Sequence, residues 1–276
     1  MVSTICGFTP NRQEIYRYDG SPDTWTRISQ GGGVGELYGG GFGLMATKYN
    51  VPGYEPGSLF RWRRRPYNYV SNAWHNIGLP GSMFAVTSES VYGLTPNRDA
   101  VYRYNGSRTN WTKVGGPADK LYAGKYGLVA TSPANGNLYR YLGSPFNWEF
   151  IGLPGASFAV TGDTVYGLTP NRDAVYRYNG SGTNWTKVGG PAREIYGGEY
   201  GLVATSPANG NLFRHLGGPD NWELIGGPGA SFVVTRDTVY GLTPNRDAVY
   251  RYNGFGTSWN RVGGAANAIY AFEEQD

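Results

Sequence analysis

Apolar and polar positions along this chain alternate in runs of four or five residues and never settle into a helical rhythm. Residues 84 to 120 show the pattern: Phe-Ala-Val-Thr, a Ser-Glu-Ser break, Val-Tyr-Gly-Leu-Thr, a Pro-Asn-Arg-Asp break, Val-Tyr-Arg-Tyr-Asn, a Gly-Ser-Arg-Thr break, then Trp-Thr-Lys-Val and Gly-Gly-Pro. Runs of period two, rich in Val and Tyr and bounded by Gly, Pro, Asn and Ser, predict four strands of an antiparallel meander in 37 residues.

The same pattern recurs. Trp74, Trp111, Trp148, Trp185, Trp222 and Trp259 stand 37 residues apart, and Trp25 extends the series after a gap of 49 because the second unit is longer. Seven units in 276 residues, each of four strands, predict an all-β fold: a seven-bladed β-propeller whose small sheets bury their faces against one another. The units alternate. Units 1, 3, 5 and 7 carry a Thr-Pro-Asn-Arg turn, units 4 and 6 a Ser-Pro-Ala-Asn-Gly-Asn turn, and Val91, Val165 and Val239 mark a longer period of 74. Such a ring leaves no segment for a second domain, so residues 1–276 are expected to form one. The N-terminal Ser3-Thr-Ile-Cys-Gly-Phe aligns with Glu89-Ser-Val-Tyr-Gly-Leu, so unit 1 lacks its innermost strand, and Ala268-Ile-Tyr-Ala-Phe is spare at the other end. One blade is therefore expected to combine a C-terminal strand with three N-terminal ones, and removal of residues 268–276 to open the ring.

Composition narrows the function. Cys6 is the sole cysteine, which rules out an internal disulfide and argues against a Cys-based zinc site; neither cofactor nor metal is expected. The first residues lack a basic region followed by an apolar stretch, and no window approaches a spanning helix. The expectation is a protein without a signal peptide or membrane insertion, in the cytoplasm or exported by a route that needs no signal. The formal net charge is +4, but Arg17, Arg61, Arg103, Arg140, Arg177, Arg214 and Arg251 occupy one equivalent position per unit. Without those seven the charge turns to −3, so the basicity is spread around the repeat and nucleic acid is not an expected partner.

With the units aligned, the pattern Trp-x-x-Ile/Val-Gly-Gly/Leu-Pro, a short strand, Val-Tyr-Gly-Leu and then Ile/Val-Tyr-Arg-Tyr resembles the tectonin repeat over essentially the whole chain. That resemblance implies a propeller and, as in many tectonin-type proteins, a lectin for cell-surface glycans, O-methylated sugars included. The chain departs from the pattern in its two alternating unit types and its enlarged second unit.

The repeated tryptophans suit stacking on sugar rings, yet a hydrophobic wedge between blades with a partnered N–H is the better reading. The in-register arginines are expected to tie neighbouring blades through carbonyls and aromatic faces. The turns Asn97-Arg98-Asp99, Asn171-Arg172-Asp173 and Asn245-Arg246-Asp247, with Asn11-Arg12-Gln13 as a variant, are the candidate carbohydrate-binding residues. An amide, a guanidinium and a carboxylate together match the donors and acceptors of vicinal hydroxyls, although Pro-Asn and Asp are also ordinary turn formers. The turns at 132–137 and 206–211 read as plain tight loops. Unit 2 grows by five residues around Tyr49, Pro52, Tyr54 and Pro56, and again around Arg63-Arg-Arg-Pro-Tyr-Asn-Tyr. His75 and His215 fall in no metal-ligand spacing, and Cys6 takes a strand position held by Tyr in units 3, 5 and 7, which predicts a buried, inert thiol. No phosphate loop or paired acids at a readable spacing indicate catalysis. A multivalent lectin, not an enzyme, is the leading expectation; a protein-interaction scaffold on the enlarged second blade is the alternative.

Overall fold

A computed structural model describes residues 2–29, 33–63 and 74–274. Among them, 28 strands form seven four-stranded antiparallel sheets. In each sheet the strands follow chain order outward, except in blade 1, where Ala268–Glu274 pairs with Val2–Phe8 from Phe8 opposite Ala268 to Val2 opposite Glu274. The spare C-terminal strand thus closes the ring, as the alignment of the ends predicts. First strands of successive blades touch all the way round, the closing strand meeting those of blades 7 and 2.

Each residue of the Trp-x-x-Ile/Val-Gly signature has a physical task. Where the third and outer strands pair, the register slips by one residue: Val101 faces Gly115 and Tyr102 faces Lys113, which leaves Val114 out of the ladder. Such a bulge frees a carbonyl. Trp148 Nε1 of the next blade donates to Val114 O at 2.8 Å, and the same bond joins Trp111 to Ile77, Trp185 to Ile151, Trp222 to Val188, Trp259 to Ile225 and, across the closure, Trp25 to Val262. Trp74 donates to Ile28 O. The bulged side chains are buried, and in every blade but the first, where Ser29 follows Ile28, the next residue is a glycine that makes room: a Cβ at Gly115 would lie 3.0 Å from Trp148 Nε1. The tryptophans are wedges between blades with partnered N–H groups.

The two unit types fit one another near the axis. First strands of even blades end in small residues under the valines of odd blades, where a Cβ on Gly40 would fall 2.3 Å from Val86 O, one on Gly124 2.7 Å from Val160 O and one on Gly198 2.2 Å from Val234 O. Alternation is therefore a packing requirement at the crowded centre, where only glycine allows such approach.

The in-register arginines differ from expectation. They bind within their own blade rather than across blades, because the third strand carries them beside the turn joining the first two strands. Arg61 donates to Phe42 O and lies 3.9 Å over its ring, and Arg140 and Arg214 cover Tyr126 and Tyr200. In blades 1, 5 and 7 an acid replaces the ring: Arg177 pairs with Asp163, Arg251 with Asp237, and Arg17 with Asp19 and Glu274.

Candidate functional site

The Asn-Arg-Asp turns all lie on one face of the ring, between second and third strands. In blade 3 the Thr95 N–H donates to Ala100 O and the Arg98 N–H to Thr95 O. The Thr95 hydroxyl accepts from the N–H groups of Asp99 and Ala100, both at 3.1 Å, and donates to the Asp99 carboxylate. Thr169 with Asp173 and Thr243 with Asp247 repeat this. In blade 1 Asn11 takes the acid's part, accepting from the Thr9 hydroxyl and from Gln13 N–H. The acid of each triplet is thus held by its own turn.

The arginines are held differently. Arg12, Arg98, Arg172 and Arg246 all have φ between 57° and 60°, a left-handed conformation that costs a non-glycine residue roughly 1 kcal/mol. Their guanidinium groups reach toward the chain leading into the next blade, where Arg98 meets Asp119 at 2.8 Å, Arg172 meets Glu194 at 3.0 Å and Arg12 meets Glu36 at 3.0 Å. These pairs are exposed and contribute little stability. In blade 7 the matching residues are Asn267 and Ala268, and Arg246 has no ion-pair partner among the described residues. Asn97, Asn171 and Asn245 are exposed.

Beside two of these turns open cavities that sequence reasoning did not foresee. Where blade 2 meets blade 3, Leu79, Pro80, Phe84, Pro96, Tyr102 and Trp111 line a cavity of about 420 Å³. Where blade 4 meets blade 5, Leu153, Pro154, Phe158, Pro170, Tyr176 and Trp185 line one of about 520 Å³. Every residue of the first matches one 74 positions later. Leu79 and Leu153 stand at the lips, 71% and 73% exposed. Thr95 with Pro96, and Thr169 with Pro170, belong both to a cavity and to a turn, so each polar triplet follows directly on a cavity wall without lining it. The signal that could have found these cavities is the 74-residue repetition of exposed leucine before proline; at the third equivalent junction Gly227 replaces the leucine.

The central channel is asymmetric where the repeat is not. At its mouth the residue that follows the first strand varies in charge from blade to blade, and Lys125, Glu199 and Arg236, with Glu273 of the closing strand, line the opening. Glu199 pairs with Lys125 at 2.8 Å and with Arg236 at 3.5 Å. Burial, together with the charge of Glu199, holds the Glu273 carboxyl above its ordinary pKa, against the opposing pull of Arg236. His215 is buried between Tyr166 and Trp222 and its Nε2 lies 2.7 Å from Gly218 O, a packing role. Cys6 is fully buried, and desolvation pushes its thiol far up, as expected of an inert cysteine. In blade 2, Tyr49 and Tyr54 of the first insertion are exposed, while the second insertion falls largely on residues 64–73, outside the described residues.

Seven four-stranded blades closed by the C-terminal strand define a seven-bladed β-propeller. A family model for the tectonin domain matches residues 63–221, more than half the chain, and the chain belongs to the tectonin family. No curated protein matches the sequence. Among solved structures, human WBSCR16 is similar at 11% identity with a TM-score of 0.59, covering 94% of this chain and 93% of that one. The CRINKLY WD40 ectodomain of the Arabidopsis thaliana receptor kinase ACR4 is similar at 14% identity and a TM-score of 0.53, covering 86% and 93%. A GH74 xyloglucanase from Xanthomonas campestris reaches 14% identity and a TM-score of 0.51, covering 99% of this chain and 43% of its own. At these identities the likeness concerns the fold alone.

Proposed function

We propose that the protein is a multivalent lectin that binds cell-surface glycans at the junctions between blades and does not turn them over. The observation that carries this reading is the pair of matching cavities, each combining an indole, a tyrosine and a phenylalanine with exposed leucine and proline. Aromatic and aliphatic walls suit the apolar face of a pyranose, and an O-methyl or 6-deoxy group adds to the apolar surface available. The tyrosine and threonine hydroxyls supply polar contacts within the cavity. The neighbouring Asn-Arg-Asp triplets supply an amide and a guanidinium at its edge, and retention of arginine at a left-handed position in four blades supports a use for the side chain itself. No lining residue of either cavity is an acid, histidine, lysine or arginine, which favours binding over general acid–base chemistry. Individually weak sites gain avidity when several engage one glycan-coated surface.

The test is a glycan array with labelled protein and free-sugar competition, repeated with Tyr102→Ala/Tyr176→Ala and with Arg98→Ala/Arg172→Ala. Competable hits lost in the tyrosine pair place the sugar in the cavities, and loss only in the arginine pair moves it to the turns. A blank array with folded protein overturns the lectin reading. It would favour the second one, a protein-binding surface on blade 2, for which exposed Tyr49 and Tyr54 on an insertion found in no other blade speak.

A further inference from the structure

Lys48 is an unusual lysine. It is 6% exposed, and its Nζ lies 4.6 Å from the centroid of the Trp74 ring and 5.5 Å from that of Phe60. No carboxylate pairs with it among the described residues, and aromatic faces are its charged group's partners. Burial pushes its pKa down to about 8, so the amine still carries its charge at neutral pH. Between blades 1 and 2 the fold has therefore placed a cation in an aromatic pocket of its own making.

The same pocket recurs without the lysine. Strand register equates Phe60 with Tyr139 and Lys48 with Ser132: Ala46 faces Phe60 as Ala130 faces Tyr139, and two residues on, Lys48 ends its strand while Ser132 follows directly on the strand end at Thr131. Trp148 takes the place of Trp74 at the head of the outer strand. Between blades 3 and 4, Tyr139, Trp148, Thr131 and Ser132 line an open cavity of about 250 Å³ that includes no charged residue. Where Lys48 fills its pocket, the short Ser132 leaves this one vacant. Ser206, Phe213 and Trp222 hold the corresponding positions between blades 5 and 6.

We propose that the junctions built on Ser132, Tyr139 and Trp148 and on Ser206, Phe213 and Trp222 bind a quaternary alkylammonium head, seated over the aromatic rings as the Lys48 ammonium is seated between blades 1 and 2. Attraction of a cation to aromatic faces strengthens when the cation is desolvated, and a tryptophan is the best such face. A quaternary head suits the vacant cavity better than a primary ammonium, because it has no N–H groups that need acceptors and the cavity offers no carboxylate. This site is separate from the glycan cavities, which lie at the alternate junctions.

The experiment is a calorimetric titration with choline chloride against a sodium chloride control, on the intact protein and two variants. Two sites of millimolar affinity are expected. Ser132→Lys/Ser206→Lys, which places at both junctions the side chain that Lys48 supplies between blades 1 and 2, should weaken binding at least tenfold while circular dichroism shows the fold intact. Lys48→Ser should open a third site and raise the stoichiometry from two to three. Absence of millimolar choline binding overturns the proposal, as does binding unchanged in the double lysine variant. Phosphocholine and a trimethyl-lysine peptide then distinguish a lipid-type from a protein-type source of the head; equal binding of the unmethylated peptide would refute the quaternary preference.

Discussion

Phe272 anchors the closing strand in the core, and Phe272→Ala measures how firmly the ring is shut. Phe272 is 2% exposed, packs edge-on against Trp62 with centroids 5.9 Å apart, and shares a core cluster with Cys6, Phe8, Leu37 and Leu44 from blades 1 and 2. Truncating a buried phenylalanine to alanine costs about 3–5 kcal/mol when the site cannot collapse. The backbone here is pinned by pairing along the whole of Val2–Phe8, which limits collapse. For a chain of this size about 2–4 °C of melting temperature accompanies each kcal/mol, so a fall of roughly 10 °C is expected. Cys6, the only thiol in the chain, lies opposite Tyr270 on the closing strand and serves as a local reporter. In the intact protein it should resist a thiol reagent; in Phe272→Ala it should react well below the melting transition. Phe146→Ala, at a position 63% exposed, is the control and should shift the melt by no more than about 0.5 kcal/mol. A Phe272→Ala melt within 2 °C of the parent, by the per-degree scale above, together with an unreactive Cys6, would refute closure by this strand as the stabilising element.

Two further perturbations probe the blades and the channel. Gly152→Ala sets a Cβ about 3.1 Å from Trp185 Nε1, so the indole must shift against the carbonyl of Ile151; a loss of about 1–3 kcal/mol by urea denaturation is expected, and an unmoved midpoint would show that the wedge has slack. Glu273 has a raised pKa in the folded protein, so its contribution to stability is present below the ordinary carboxyl pKa and is lost as pH rises through the folded value. Glu273→Gln, which mimics the protonated form, should therefore melt higher than the parent at pH 7 and converge with it near pH 4, a window set by the ordinary glutamate pKa of about 4.3; a lower melt at pH 7 would contradict the sign.

Much of the fold was legible because it is written in short repeats. The spacing of Trp74, Trp111 and their fellows sets the blade number, and the unmatched Ala268-Ile-Tyr-Ala-Phe sets the closure. The Trp-x-x-Val-Gly run was readable as a motif, but its reason was not. The tryptophan meets the glycine of the previous blade, a contact between residues 33 apart such as Gly115 and Trp148. The candidate site was less legible for the same reason. Phe84, Tyr102 and Trp111 come from three strands of blade 3 and Leu79 from the segment leading into it, they share no local pattern, and only superposing one half of the repeat on the other brings them forward. The arginines misled because a strand position gives direction but not reach: Arg140 stays over Tyr126 of its own blade. Lys48 was invisible, since a lysine beside a loop is ordinarily a solvated residue.

Two unit types alternating through seven blades cannot meet like with unlike everywhere. Junctions in which an even blade hands on to an odd one occur at 2/3, 4/5 and 6/7, those of the opposite sense at 1/2, 3/4 and 5/6, and the closure joins two blades of the same type. A ligand site tied to one kind of junction therefore has a ceiling of three copies. Those copies stand two, two and three blades apart, at the corners of an isosceles rather than an equilateral triangle. Any surface that all three engage at once has to tolerate that uneven footprint, so matching to ligand spacing becomes a second level of selection, set by the parity of the ring and independent of the chemistry inside each cavity.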